Sequence, residues 1–189
     1  MRIESVINLF DEETKAKILA SVPGAVSELP IVEETSQIPV VRKAEVPPYN
    51  ELRVPLHRLY SPRSGEHYYT TKAAELDKAV RVYGYNYENL AAHILSSQVD
   101  DTVPLYRIRQ GKRHLYTTNL AESIRASTDG SAPGIVGYVH PTEQYGTLPF
   151  FRLFNAKSGD RLFTTSIDEK YSLQKVGWQD EGIACYVYL

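Results

Sequence analysis

The sequence predicts a mainly β, pseudo-threefold, β-trefoil-like domain of three repeats of about 45 residues, each with a short helix, behind an N-terminal arm. A threonine pair recurs every 47 residues, at 70–71, 117–118 and 164–165. Each pair ends a similar segment: PLHRLYSPRSGEHYYTT, PLYRIRQGKRHLYTT and PFFRLFNAKSGDRLFTT. One such unit cannot bury its apolar face alone, whereas three units closed around an axis can, and closure leaves no long free sheet edge. A closed threefold arrangement is therefore favoured over an open solenoid.

Residues 1–51 are predicted to form an arm outside the repeats. Acidic residues followed by helix formers at 11–20 predict one short helix, because acids favour a helix N-terminus. The prolines of the stretch 30–48 and its extended preference are typical of a linker. We expect a flexible arm. The alternative is an arm that docks on the repeat domain or on a partner through Ile31, Val40 and Val41.

The repeat domain, residues 52–189, opens each unit with a predicted β-hairpin. Its three repeats span about 52–101, 102–146 and 147–189. A β-prone run with proline at its first position predicts a strand. In the first and third copies a turn ends in Gly65 or Gly159, since glycine tolerates positive φ, and a second strand then runs into the threonine pair. The second copy shortens this turn to Gln110-Gly111.

A short helix and a closing strand are predicted after each threonine pair. Asn119 and Ser166 stand three residues before Glu122 and Glu169, as at capped helix starts. In the first copy Lys72 cannot cap, so we expect Thr71 to do so. Each helix should run about a dozen residues. A buried closing strand follows, at 88–95, 134–139 and 181–188, and short strands at 85–87 and 178–180 would bring the first and third units to four strands. Because this helix is longer than most trefoils carry, a different threefold barrel is the alternative.

These units resemble the repeats of a family of unknown function found in bacterial and fungal proteins. The shared pattern is a PLYR strand, a segment like GDHFYTT, a short helix with Glu, and a closing segment like GYxYEG. Residues 55–71 and 84–95 carry it in the first copy, and 149–165 and 177–188 in the third, while the second copy departs in its turn. The resemblance implies a non-catalytic, lectin-like attachment module with carbohydrate as its ligand.

Composition and charge exclude several other classes. The chain has net charge −2, and its charges form no strong basic excess, so nucleic acid is not an expected partner. The N-terminus lacks the apolar region of a signal peptide, and no apolar run is long enough to span a membrane. We therefore expect no membrane insertion and a protein that is cytoplasmic or unconventionally secreted. The single cysteine, Cys185, excludes an internal disulfide and is expected to be buried and inert.

Residues identical in all three copies have two interpretations. Besides the threonine pairs, they include the arginines and glutamates at equivalent positions: Arg58, Arg107, Arg152, Glu75, Glu122 and Glu169. In the favoured, structural interpretation each arginine binds a carboxylate or a carbonyl. In the functional one, arginine and acid form three equivalent sites that bind hydroxyl groups.

Residues that vary between the copies are the better candidates for ligand binding. Sugar recognition needs a flat ring to stack on the pyranose C–H face and planar polar groups to bind hydroxyls. The first and third repeats each supply such a set, whereas Ser131-Ala132-Pro133 replaces the aromatic residues in the second. The alternative is that the two rings only cover one end of the barrel. The predicted ligand-binding residues are His67, Tyr85, Asn86 and Glu88 in the first repeat, and Arg161, Trp178, Gln179 and Asp180 in the third.

The sequence predicts a binding protein and not an enzyme. No nucleophile elbow, phosphate loop, dinucleotide turn or HExxH motif is present, and no cofactor is expected. No metal site is expected either, because Arg161 replaces the aligned His67 and His114 in the third copy and cannot be a ligand. We expect a non-catalytic carbohydrate-binding module with glycan partners. The alternative is a protein-binding module, such as a protease inhibitor, that acts through the loops 127–134 or 143–147.

Overall fold

The computed structural model describes residues 49–189, so the predicted arm helix and linker lie outside the described residues. The described part is mainly β with a few short helices, as predicted. The helices are α1 Tyr49–Leu52, α2 Ala73–Arg81, α3 Leu120–Ala126 and α4 Ile167–Lys175. The strands are β1 Arg53–Ser61, β2 Glu66–Thr70, β3 Asn86–Leu95, β4 Val103–Gln110, β5 Arg113–Thr117, β6 Gly134–Val139, β7 Leu148–Asn155, β8 Asp160–Thr164 and β9 Gln179–Val187.

Every unit contains the same antiparallel three-stranded arrangement. Its first strand lies between its hairpin partner and its closing strand, in the orders β2-β1-β3, β5-β4-β6 and β8-β7-β9. The predicted hairpin turns are present, with Gly65 and Gly159 at positive φ. The expectation of an extra short strand at 85–87 and 178–180 is wrong. Residues 86–87 and 179–180 instead begin the closing strand itself.

The ends of the three closing strands are joined in a cycle. Leu95 of β3 pairs with Tyr138 of β6, and His140, just after β6, pairs with Tyr186 of β9. Tyr188, just after β9, pairs with His93 of β3 and completes the cycle. Gly137 is required here, because a Cβ at this position would lie 2.8 Å from the Leu95 carbonyl oxygen. The three units therefore close on one another at this end.

The core lies where the units meet, and equivalent residues of all three contribute to it. The main buried cluster takes Leu56, Leu105 and Phe150 from the first strands, and Tyr69, Tyr116 and Phe163 from the second. Cys185 is also buried there, as predicted, and burial raises the pKa of its thiol to about 12. The closing strands were expected to be buried throughout, but β3 is exposed over its first five residues and buried only near its end. Only these C-terminal ends reach the core.

Two tyrosine hydroxyl groups form hydrogen bonds with the backbones of neighbouring units. The Tyr69 hydroxyl accepts a hydrogen bond from Phe163 N (2.8 Å) and donates one to Phe163 O (3.2 Å). The Tyr116 hydroxyl does the same with Tyr69 N and O, at 2.8 and 2.9 Å. Phe163 occupies the third equivalent position and has no hydroxyl group. Two of the three junctions therefore carry this bridge.

The helices after the threonine pairs are shorter than expected, with nine, seven and nine residues. Asn119 and Ser166 cap their helices as predicted, each accepting a hydrogen bond from a backbone N–H. The prediction that Thr71 caps α2 is wrong. Lys72 is the N-cap residue without a side-chain bond, and the Thr71 hydroxyl donates to Val136 O of the second unit. No helix in residues 49–189 is long and apolar enough to cross a membrane.

Candidate functional site

The repeated arginines and glutamates join neighbouring units. Arg107 of the second unit binds Glu75 of the first, with Nη1 2.7 Å from Oε2. The same pairing joins the other junctions: Arg58 to Glu169 at 2.9 Å, and Arg152 to Glu122 at 3.3 Å. Since each of the three repeated arginines binds a carboxylate of another unit, the structure has the ion pairs that the structural interpretation expected.

The threonines before each helix hold these carboxylates in place. The Thr70 hydroxyl donates to Glu75 Oε2 at 2.7 Å and accepts from Lys72 N at 3.1 Å. The hydrogen bond from Arg107 is the main cause that lowers the pKa of Glu75 to about 2; burial opposes it, and the hydroxyls of Thr70 and Tyr68 add to the lowering. Glu75 therefore stays ionised in the folded protein at neutral pH.

Trp178 lies beside His67 of the first unit, across the junction between the third and first units. The two rings meet edge to face, with their centroids 6.2 Å apart. The centroid of the Tyr60 ring lies 5.0 Å from that of His67. His67 itself is buried, and its Nδ1 is 2.7 Å from Asp160 Oδ2 of the third unit. Its Nε2 lies 3.4 Å from Glu88, which also pairs with Arg58. We call the group of Tyr60, His67 and Trp178 the aromatic junction.

Tyr85 lies at a different junction, in a cleft of about 710 Å³ between the first and second units. Its hydroxyl donates to Glu66, whose carboxylate also accepts the His114 backbone N–H at 3.0 Å. Tyr68 packs edge to face on both Tyr85 and His114, with centroids 5.7 and 5.1 Å apart. We call this space the tyrosine cleft.

The remaining predicted residues stand apart from these two groups. Arg161 binds Glu181 in its own unit, with Nε 2.9 Å from Oε2. Asp180 pairs with Lys170 at 2.7 Å. Asn86 and Gln179 are exposed at the starts of their closing strands. The sequence grouped His67 with Tyr85 and Arg161 with Trp178 by repeat. The contacts instead join His67 to Trp178, because each junction is built from two units.

Several lining residues of the tyrosine cleft were missed by sequence reasoning. Tyr83 lines it and is 55% exposed, and Tyr68 lines its wall. One sequence signal was available for Tyr83: the first unit has one more residue than the third between its helix and the following glycine, Gly84 or Gly177. The lining cations other than Arg107 gave no such signal. They are Arg63, Lys78, Arg109 and Lys112.

Two further observations concern chemistry. Across residues 49–189, no group of three or more His, Cys, Asp or Glu side chains lies close enough together to hold a metal ion. Burial keeps the Cys185 thiol protonated, because its pKa is raised to about 12.

Comparison with known families decides the membership of this chain. A family model described as "Domain of unknown function (DUF5648)" matches residues 37–132 and again residues 112–188. The chain belongs to the DUF5648 family. The double match agrees with the internal repetition, and the resemblance to a repeat family of unknown function is confirmed at this level. Comparisons with curated proteins and with solved structures found no match.

Proposed function

We propose that this DUF5648 protein is a non-catalytic, lectin-like carbohydrate-binding module with a trefoil-like closure of its three units. The cycle of pairings between the closing strands supports the closure. The tyrosine cleft is the single observation that carries the binding proposal, because it combines aromatic rings with polar groups in an open space of about 710 Å³. Small-molecule sites have this combination of apolar walls and a few placed polar groups.

The chemistry of the tyrosine cleft suits a pyranose ring. Tyr83 is exposed on the cleft wall, so its ring face is accessible to the C–H groups of a sugar. The Tyr85 hydroxyl is held by Glu66, which fixes the direction of that side chain. Glu66 is only 2% exposed, and its bonds to His114 and Tyr85 leave it a supporting group rather than the main contact. Sugar hydroxyls would be bound by the polar groups at the rim of the cleft.

We place a second site at the aromatic junction of Tyr60, His67 and Trp178. This site belongs to the third and first units, as the tyrosine cleft belongs to the first and second. The remaining junction lacks an equivalent aromatic ring, because the second unit has Ser131-Ala132-Pro133 where the other units carry Tyr85 or Trp178. Two sites that engage one branched or repeating glycan would strengthen weak individual binding.

A glycan array with the unchanged protein and three variants tests the proposal. Tyr83→Ala and Trp178→Ala should each weaken or abolish binding to some of the glycans that the unchanged protein binds. Tyr145→Ala is the matched control, because Tyr145 is fully exposed in the loop 143–147. A blank array for protein with a cooperative melting transition would refute carbohydrate binding.

A protein-binding role is the second candidate, and the loop 143–147 favours it. Tyr145 projects fully into solvent from this loop. The loop is braced at its base, where Thr147 N donates to Gln144 O at 3.0 Å and Gln144 N donates to the Thr147 hydroxyl at 2.9 Å. A braced loop with an exposed aromatic residue is suited to insertion into a partner protein's pocket. Tyr145→Ala should then abolish partner capture, and Tyr83→Ala should leave it unchanged.

A further inference from the structure

We propose that the tyrosine cleft selects an acidic sugar, one that carries a carboxylate or a sulfate group, whereas the aromatic junction takes a neutral sugar. This inference rests on the proposed carbohydrate-binding function and names the ligand class of one of its sites. Two of the exposed cations that line the cleft have no charged counterpart at the aromatic junction.

Four cations of the cleft are free to bind an anion. Within residues 49–189, none of the four side chains lies within ion-pair distance of a carboxylate, although all are exposed and line the same space. Within residues 49–189, Arg109 makes one side-chain hydrogen bond, from Nε to Gly111 O at 3.0 Å. Lys78 Nζ lies 5.5 Å from the centre of the Tyr83 ring. The four are Arg63, Lys78, Arg109 and Lys112.

The two carboxylates of the cleft are already compensated. Glu75 is paired with Arg107 at 2.7 Å. Glu66 is buried and accepts hydrogen bonds from His114 N and from the Tyr85 hydroxyl. With Glu75 neutralised by Arg107, the four free cations outweigh the one remaining acid. A cleft lined by an excess of one charge concentrates ligands of the opposite sign.

Part of this excess distinguishes the cleft from the aromatic junction, where Arg109 and Lys78 have no cationic counterpart. Where the second unit has Arg109, two residues after its repeated arginine, the first has Tyr60 and the third has Phe154. At the aromatic junction Tyr60 therefore packs on His67 in the place that Arg109 takes in the cleft. Lys78 of α2 corresponds to Ser172 of α4. The aromatic junction thus lacks two of the four cations.

The neighbouring tyrosines turn an anion site into a site for an acidic sugar. Lys78 Nζ lies over the half-exposed Tyr83 ring, so a pyranose that packs on this ring brings its charged group close to a cation. The guanidinium groups of Arg63 and Arg109 can bind a carboxylate or sulfate through two parallel hydrogen bonds. An inorganic anion alone would gain the charge pairing but no contact with the ring.

The test measures binding to four probes of matched length by fluorescence anisotropy. They are an oligogalacturonate, a neutral oligogalactoside, a sulfated oligogalactoside and a poly-glutamate peptide. We expect either or both charged oligosaccharides to bind at least tenfold more tightly than the neutral one, with an affinity that falls as NaCl rises from about 50 to 300 mM. The poly-glutamate peptide should bind at least tenfold more weakly than the preferred charged oligosaccharide.

Two double variants with the same change in net charge locate the effect. Arg109→Ala/Lys112→Ala should lose at least tenfold in affinity for the charged oligosaccharide. Lys157→Ala/Lys175→Ala removes two exposed cations of the third unit. It should change the affinity for the charged oligosaccharide less than twofold. Thermal melting of both variants checks that the fold is intact. Equal losses in the two variants would overturn the proposal.

The outcomes separate this inference from the proposed function. If neutral sugars bind as tightly as charged ones, the acidic ligand class is wrong and carbohydrate binding stands. If the poly-glutamate peptide binds as tightly as the charged oligosaccharides, the cleft binds anions in general, and the acidic-sugar inference is overturned. If no sugar binds here and none binds on the array, both the inference and the proposed function fail.

Discussion

Single side chains at the junctions help to hold this protein's units together. The hydroxyl group of Tyr69 bridges the backbone N–H and carbonyl of Phe163, and the hydroxyl of Tyr116 bridges those of Tyr69. All three rings are buried. A buried backbone N–H that loses its partner costs more than an ordinary hydrogen bond contributes, because water cannot replace the partner.

Tyr69→Phe should therefore destabilise the fold by about 1–3 kcal/mol, because it leaves the Phe163 N–H without its acceptor. Tyr60→Phe is the matched control, since the Tyr60 hydroxyl makes no hydrogen bond with residues 49–189, and it should cost less than about 0.5 kcal/mol. Urea unfolding of both variants measures the difference. Equal stabilities would show that the bridge contributes nothing.

The carboxylate of Glu75 makes stability depend on pH. Its pKa falls from an ordinary 4.5 to about 2 in the folded protein, chiefly through the hydrogen bond from Arg107. A lowered folded-state pKa stabilises the fold above pH 4.5, and the contribution is lost as pH falls from 4.5 towards 2. We expect Glu75→Gln to lower the free energy of unfolding by about 1–2 kcal/mol at pH 7 and by much less near pH 2. Denaturant titrations at both pH values test this, and an equal loss at each would contradict it.

At the scale of the element, the hairpins and helices repeat, but the helix starts differ. Ser166 Oγ accepts the Glu169 N–H at 3.2 Å and Asn119 Oδ1 accepts the Glu122 N–H at 3.0 Å. Lys72 makes no such bond. The glutamate of each first turn is the residue that pairs with the next unit's arginine, so a cap here also positions a junction.

Ser166→Ala should cost about 1 kcal/mol, because it removes the hydrogen-bond acceptor of an exposed helix start. Lys72→Ala is its control at the uncapped start of α2 and should cost less than about 0.5 kcal/mol, since Lys72 loses only an exposed ion pair with Glu75. Thermal melts followed by circular dichroism give both values. A larger loss at Lys72 than at Ser166 would contradict the assignment.

At the scale of the molecule, no unit is complete without its neighbours. The main core cluster draws buried residues from all three units, and each repeated arginine binds a glutamate of another unit. The pairings between closing strands form a cycle that includes every unit. Removal of any one unit opens this cycle and exposes the core.

A chain truncated after residue 146 should therefore fail to fold, although its two remaining units keep all their own strands. Loss of the third unit removes Phe150, Phe163, Cys185 and Val187 from the core. We expect no cooperative unfolding transition and strong binding of a hydrophobic dye, with the full-length chain as control. A cooperative transition in the truncated chain would show that two units are sufficient.

The repeated unit and its local structure can be read from the amino-acid sequence. The period of 47 residues located the hairpins, and the Gly65 and Gly159 turns and the caps at Asn119 and Ser166 followed from local rules. These features depend on residues close together in the chain, so their positions can be read from it. Thr71 was misjudged because its partner, Val136, belongs to another unit.

Which residues of different repeats lie together at a junction depends on the packing of the units in three dimensions. The repeats showed that His67, His114 and Arg161 occupy equivalent places, but not which neighbouring unit each of them faces. The fold brings Trp178 to His67 across one junction and places Tyr85 in the cleft across another. The physical reason is that closure around an axis joins strands distant in sequence. The packing of one unit against the next, and not the order of residues within a repeat, therefore sets the composition of each cleft.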